Sequence, residues 1–78
     1  MLEKEARRAL KSFGKTHNSD SLQYFAGILG GYIATHPHIN GTEIDGVKEE
    51  IERFYKKNTG PMPPVLEGIR AAITLLQD

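Results

Sequence analysis

The stretch Ser19–Thr35, SDSLQYFAGILGGYIAT, is apolar over most of its length and has no charged residue after Asp20. On a helix with about 3.6 residues per turn, its bulky side chains form one arc and its glycines and alanines gather on the opposite side. The bulky arc consists of Leu22, Phe25, Ile28, Leu29, Tyr32 and Ile33. A helix with almost no polar face is predicted to lie at the centre of a helical bundle, because water would otherwise contact its apolar surface.

The bare side of this helix, with Gly27, Gly30 and Gly31, needs an explanation, because each glycine costs up to about 1 kcal/mol relative to alanine in a helix. Close approach of another segment would account for them. The interpretation with most weight is that another helix of the same chain packs against this side. Two alternatives are a second copy of the chain, and an early helix end at Gly30 with Tyr32–Thr35 extended.

Composition limits the fold and the classes of function. The 78 residues are enough for one domain, residues 1–78, and the absence of cysteine excludes disulfides and CxxC metal sites. Ten basic and ten acidic residues balance, which argues against a protein that coats nucleic acid. The thirteen-residue apolar run of residues 22–34 is shorter than the roughly 20 residues of a membrane-spanning helix. No membrane association and a cytoplasmic location are therefore expected.

Apolar residues at helical spacing also occur on both sides of the central stretch. They predict an all-α bundle of four helices at about 2–13, 20–35, 42–57 and 64–77, with the second helix central. Gly14 is predicted to end the first helix. The core-facing set of that helix is short, so we expect it to pack loosely or against a partner.

The leading functional hypothesis is a non-enzymatic docking module that binds another protein, of unknown identity, or forms a homodimer. Small accessory proteins of phages and mobile elements often have such a build, which is an analogy only. The apolar arc of the last helix is broader than packing on the central helix requires. The candidate partner-binding residues are Gly27, Gly30, Gly31, Ala71, Thr74 and Leu75.

A nucleic-acid-binding regulator of helix-turn-helix type is the alternative, with the second helix as support and the third as reader. Its phosphate contacts would come from the basic first helix. The residues for that role are Arg7, Arg8, Lys11 and Lys15. Four acidic residues weaken this alternative, because they lie where a reading helix needs positive charge. They are Glu43, Asp45, Glu49 and Glu50.

No motif for catalysis, cofactor binding or metal binding is present, and no run of residues identifies a known family. His17, His36 and His38 are the only candidate metal ligands besides the carboxylates. Structural zinc requires four ligands, and the sequence offers neither cysteine nor two histidines on one helix face. We therefore expect no enzymatic activity, no cofactor and no metal, and we expect the histidines to be solvated or to cap helix ends.

Overall fold

The computed structural model describes residues 2–36 and 41–77. They form four α-helices: α1 (Leu2–Thr16), α2 (Asp20–Thr35), α3 (Gly41–Lys57) and α4 (Pro64–Leu76). Helix α1 packs against α2 and α3, and α4 packs against the same two helices. The bundle therefore has the ring order α1, α2, α4, α3, in which α2 and α3 lie diagonally opposite each other. The predicted all-α bundle of four helices is confirmed.

Side-chain contacts set the direction of each neighbouring pair. Helices α1 and α3 are parallel, because Arg7 reaches Glu50 while the rings of Phe13 and Phe54, further along both helices, lie 6.0 Å apart. The carboxylate of Glu43, near the start of α3, accepts a hydrogen bond of 3.2 Å from the backbone N–H of Leu2. It thereby satisfies one of the free N–H groups at the start of α1.

Helices α3 and α4 are antiparallel, and polar side chains join them along their length. Arg70 donates to Glu52 at 3.1 Å, and its guanidinium lies 4.3 Å from the centre of the Tyr55 ring. The hydroxyl of Tyr55 donates to Glu67 at 2.9 Å. Burial, and then the nearby Glu67 carboxylate, raise the pKa of Tyr55 to about 12. The neutral tyrosine therefore holds α4 against α3.

Helix α1 does not end at Gly14, as the sequence predicted, but continues to Thr16. Its end is set by His17, which has a left-handed backbone with φ of 57° and donates its N–H to the carbonyl of Phe13 at 2.8 Å. A left-handed residue at this place stops the helix whatever its type, although glycine is the commonest choice. The side chain of Asn18 then accepts the N–H of Asp20 at 2.8 Å, and α2 begins.

The core is formed by one face of every helix. Its buried residues are Leu2, Ala6, Ala9, Leu10, Leu22, Phe25, Leu29, Ile44, Val47, Ile51, Leu66, Ile69 and Ile73. The expectation that α1 packs loosely is wrong, because α1 contributes four of these residues and contacts two helices. Its buried alanines, Ala6 and Ala9, bring its backbone close to its neighbours, so a short apolar set is enough.

The tightest helix contact involves a glycine of α3. Gly46 is buried, and a Cβ at this position would meet the side chain of Glu3 on α1. The absence of a side chain therefore lets α1 and α3 approach each other. The sequence predicted such a close approach at the glycines of α2 instead.

Candidate docking surface on helices α2 and α4

The glycines of α2 are uncovered. Gly27, Gly30 and Gly31 are exposed, and a Cβ on any of them would meet no described atom within 4 Å outside the backbone of its own helix. The prediction that another helix of this chain covers them is wrong for the part of the chain that the structure describes. The early helix end is also wrong, because α2 runs unbroken to Thr35. The third interpretation, that a second copy of the chain covers them, stays a prediction.

Helix α4 presents a similar surface beside it. Gly68, Ala71 and Leu75 are exposed and follow one another at spacings of three and four, so they share a stripe of the helix. A Cβ on Gly68 would also meet no described atom within 4 Å. Since α2 and α4 are packed neighbours, the outward-facing stripes of both helices lie on one side of the bundle. We call this surface the open face; its residues are Gly27, Gly30, Gly31, Ala34, Gly68, Ala71 and Leu75.

Five of the six predicted partner-binding residues therefore lie on the open face, and Thr74 does not. Thr74 lies at the other edge of α4, where it lines a narrow groove together with Lys48 and Glu52 of α3. Its hydroxyl donates to the carbonyl of Arg70 at 3.1 Å. This hydrogen bond lies within α4, so Thr74 already has a partner for its only side-chain donor.

Two large side chains of α2 and α4 are exposed. Leu75 is 75% exposed and Tyr24 is 71% exposed, whereas the bulky core residues of the same helices are almost fully buried. Sequence reasoning found Leu75 but missed Tyr24, although Tyr24 lies three and seven positions before Gly27 and Gly31 on one side of α2. Tyr24 lies at the edge of α2 next to α1, where it lines a groove with Glu5, Arg8 and Ser12. The open face thus combines bare backbone with the projecting side chain of Leu75.

Charge is divided unequally between the two sides of the bundle. Helices α1 and α3 together carry sixteen charged residues, whereas α2 and α4 carry three, which are Asp20, Glu67 and Arg70. Glu67 and Arg70 are engaged with α3. The sequence alone did not reveal this division, because it depends on α2 and α4 being neighbours. An exposed surface without charge is unusual for a bundle whose opposite side is densely charged.

The most buried charge among residues 2–36 and 41–77 lies on the opposite side. The side chain of Glu50 on α3 is only 8% exposed, and it receives hydrogen bonds from Arg7 at 2.9 Å and from Arg53 at 2.7 Å. Burial by itself would raise the pKa of Glu50, but the two arginines outweigh it and lower the pKa below the usual glutamate value. Glu50 is therefore a negatively charged link between α1 and α3.

The basic residues proposed for phosphate contacts fall into two groups. Arg7 is bound to Glu50 and Glu3, and Arg8 lies 3.4 Å from Glu5. Lys11 and Lys15 are exposed and form no ion pair with a described residue. Two of the four predicted residues, Lys11 and Lys15, are thus available for phosphate contacts. Arg7 instead joins α1 to α3.

The two described histidines lie at helix ends. His17 ends α1, as described above, and His36 follows α2 with its ring stacked on that of Tyr32, the ring centres 4.1 Å apart. His38 lies outside the described residues. Among residues 2–36 and 41–77, no three histidine, aspartate or glutamate side chains come together in a way that could hold a metal ion.

No helix in the described part of the chain has the length and apolar character needed to cross a membrane. Comparisons with models of protein families, with curated proteins and with solved structures gave no match.

Proposed function

We propose that this protein is a non-enzymatic docking module that binds an apolar protein surface through the open face of α2 and α4. The observation that carries the proposal is the set of glycines inside these two helices. A Cβ on Gly27, Gly30, Gly31 or Gly68 would meet no described atom within 4 Å outside the backbone of its own helix. Each glycine lowers the stability of its helix by up to about 1 kcal/mol relative to alanine. Close approach of a second molecule gives these positions a physical purpose, which packing within the chain does not.

An exposed apolar side chain supports the same surface. Leu75 is the most exposed large hydrophobic residue of the described chain, and it lies on the open face. An apolar side chain on a surface with few charged residues is typical of the central part of a protein interface, where charged residues are depleted. The charged side formed by α1 and α3 suits contact with water instead.

The absence of catalysis is part of the proposal. The groups whose pKa is shifted are Arg7, Glu50, Tyr55 and Arg70. All four belong to contacts that join one helix to another, which gives these shifts a structural cause. Perturbed ionisation therefore supports no separate catalytic site. A cytoplasmic location stays a prediction.

The helix-turn-helix alternative receives less support. Helices α2 and α3 lie across the bundle from each other with no close backbone contact between their described residues, whereas the two helices of that motif pack together. Arg7 is also engaged by Glu50. A salt-sensitive contact through Lys11 and Lys15 would be the remaining form of this hypothesis.

Capture experiments with matched variants test the proposal. The tagged protein, its Gly31→Leu variant and a Lys48→Ala control would be incubated with native lysate, with nuclease and in moderate salt. Both substitutions are at exposed helix positions, so the fold should persist, and circular dichroism checks this. We expect the same proteins to be retained by the wild type and the control and to be lost with Gly31→Leu.

Retention that is unaffected by Gly31→Leu would contradict the proposal. Retention that disappears with nuclease or fades steeply with salt would favour the nucleic-acid alternative, with Lys11 and Lys15 as its surface. Both outcomes are read against the Lys48→Ala control, which changes an exposed charge on α3 without altering the open face.

A further inference from the structure

A groove of about 240 Å³ runs along the seam between α1 and α3, on the side of the bundle opposite the open face. Four cations border it: Arg7 and Lys11 from α1, and Arg53 and Lys57 from α3. The two helices are parallel, and each pair is spaced by four residues. The cations therefore form two rows along the groove, with a rise of about 6 Å between the members of each row.

Carboxylates already neutralise the arginine end of the groove. Arg7 and Arg53 both donate to Glu50, which is the one acidic residue among the described residues that line the groove. Glu3 lies 3.1 Å from Arg7, and Glu49 lies 4.0 Å from Arg53. Two guanidinium groups thus hold one carboxylate between them, which shows that carboxylates suit this seam.

The lysine end of the groove lacks such a counterion. Lys11 and Lys57 lie one helical turn beyond the arginines, are exposed, and form no ion pair with any residue of the described ranges. Every charged residue of α1 after Glu5 and of α3 after Glu52 is basic. The helix dipoles supply only about half a negative charge at each of these ends. The rest of the charged side mixes both signs and suits water, whereas this end has an excess of positive charge.

The floor of the groove is apolar, and Gly14 keeps it open. Leu10 and Phe54 lie between the two rows of cations. Gly14 does not end α1, which continues to Thr16. A Cβ on Gly14 would lie 3.7 Å from the Phe54 ring, an ordinary contact, so helix packing does not require glycine here either. A longer side chain at this position would fill the groove, and access to its floor therefore gives the glycine a purpose.

We infer that this groove binds a short acidic segment of a partner protein. Carboxylates of the segment pair with Lys11 and Lys57, and an apolar side chain of the segment covers Phe54. Two carboxylates separated by one residue of an extended chain are about 6.6 Å apart, close to the ~6 Å rise within each row of cations. The site is separate from the open face, so the module can hold two protein surfaces on opposite sides.

Nucleic acid fits this surface less well than a short acidic segment does. Beyond the arginine end of the groove, the first turns of α1 and α3 carry acidic residues, among them Glu3 and Glu43. A nucleic-acid strand is charged along its whole length, so its phosphates would meet these carboxylates as it leaves the groove. A short acidic segment needs only the groove itself, and the apolar floor takes its uncharged side chain.

A short labelled peptide with the core Glu-Leu-Glu tests the inference by fluorescence anisotropy with the purified full chain. We expect it to bind the wild type, and a Gln-Leu-Gln peptide to bind at least about fivefold more weakly, because two ion pairs are lost. Lys57→Glu should weaken binding at least about fivefold, because attraction becomes repulsion. Lys56→Glu makes the same change of charge in the same turn but outside the groove, and should have little effect. Equal losses in both variants would overturn the groove as the site.

The apolar floor is tested by side-chain size alone. Gly14→Leu places an apolar side chain in the groove, whereas Gly14→Ala adds only a methyl group at an ordinary distance from Phe54. Neither variant changes the charge. We expect peptide binding to be lost with Gly14→Leu and kept with Gly14→Ala, and urea unfolding checks that both variants fold. Unchanged binding by a folded Gly14→Leu would overturn the floor as part of the site.

A single-stranded oligonucleotide of the same net charge as the peptide separates the two kinds of anionic partner. If it binds more tightly than the peptide and depends on Lys57 but not on Lys56, nucleic acid replaces the acidic segment as the occupant and the inference is wrong. Absence of peptide binding at millimolar concentration would also overturn it. Peptide binding should be unchanged in Gly31→Leu, so failure of this inference and failure of the docking function are distinguishable.

Discussion

Arg7 on α1 donates hydrogen bonds from Nε and Nη2 to one oxygen of Glu50 on α3, at 3.1 and 2.9 Å. The same oxygen accepts a third hydrogen bond from Arg53 at 2.7 Å. Two cations from different helices thus converge on one buried carboxylate. This contact fixes the parallel pair of α1 and α3, the charged side of the bundle that lies opposite the open face.

Glu50→Gln is expected to lower the free energy of unfolding by roughly 1.5–3 kcal/mol at pH 7, the usual range for hydrogen bonds to charged groups. Because the pKa of Glu50 is lower in the folded state, its contribution is present above the unfolded-state pKa and is lost as the pH falls through the folded-state value. The stability difference between wild type and variant should therefore shrink below about pH 4. Urea unfolding at several pH values measures it. A difference that does not change with pH would contradict the ionised state of Glu50.

Gly46→Ala is expected to destabilise the protein by about 1–3 kcal/mol, because the new methyl group meets the side chain of Glu3 and pushes α1 away from α3. Thermal and urea unfolding of the purified variant measure the loss. A matched variant, Gly68→Ala, lies at an exposed helix position with no described neighbour. If both variants changed stability equally, the contact between Gly46 and Glu3 would not matter.

Gly27→Ala, Gly30→Ala and Gly31→Ala are each expected to raise the stability of the monomer by about 0.5–1 kcal/mol, because alanine favours the helix and meets no described neighbour. At the same time, Gly31→Ala should weaken association through the open face. Unfolding is measured on the purified protein, and association by capture of proteins from native lysate. A variant that gains stability with unchanged association would remove the argument that a partner approaches closely at Gly31.

Tyr55→Phe is expected to lower the free energy of unfolding by about 0.5–1.5 kcal/mol, because the hydrogen bond to Glu67 is lost. In the wild type the raised pKa of Tyr55, about 12, means that its contribution is complete below pH 10 and is lost as the pH rises from 10 to 12. Absorbance of tyrosinate during alkaline titration follows the ionisation. In Tyr55→Phe the step near pH 12 should be absent, and a step that persists would assign it to another tyrosine.

The sequence predicted the helices because apolar spacing and turn residues are local signals. The bounds of α2 agree with the prediction, and those of α3 and α4 differ from it by one residue. The end of α1 was missed because His17, rather than Gly14, adopts the left-handed backbone. Histidine is one of the few non-glycine residues that adopt this backbone conformation more often than average. The sequence around position 17 therefore did not indicate that the helix would end there.

The sequence predicted the two stripes of the candidate surface, and the fold showed that they lie next to each other. The glycines of α2 and the apolar edge of α4 were found separately from helical periodicity. The structure placed α2 beside α4, and so brought these residues to one side of the bundle.

The amino-acid sequence by itself determined four helices, a neutral charge balance and one unusually bare helix, because these properties depend on composition and on spacing along the chain. Only the tertiary structure decided that Gly46, and not the glycines of α2, mediates close helix packing, and that Glu50 binds Arg7. The physical reason is that such contacts join residues about forty positions apart. Which helix faces meet depends on how four amphipathic helices bury their apolar sides together, and no single segment encodes that choice.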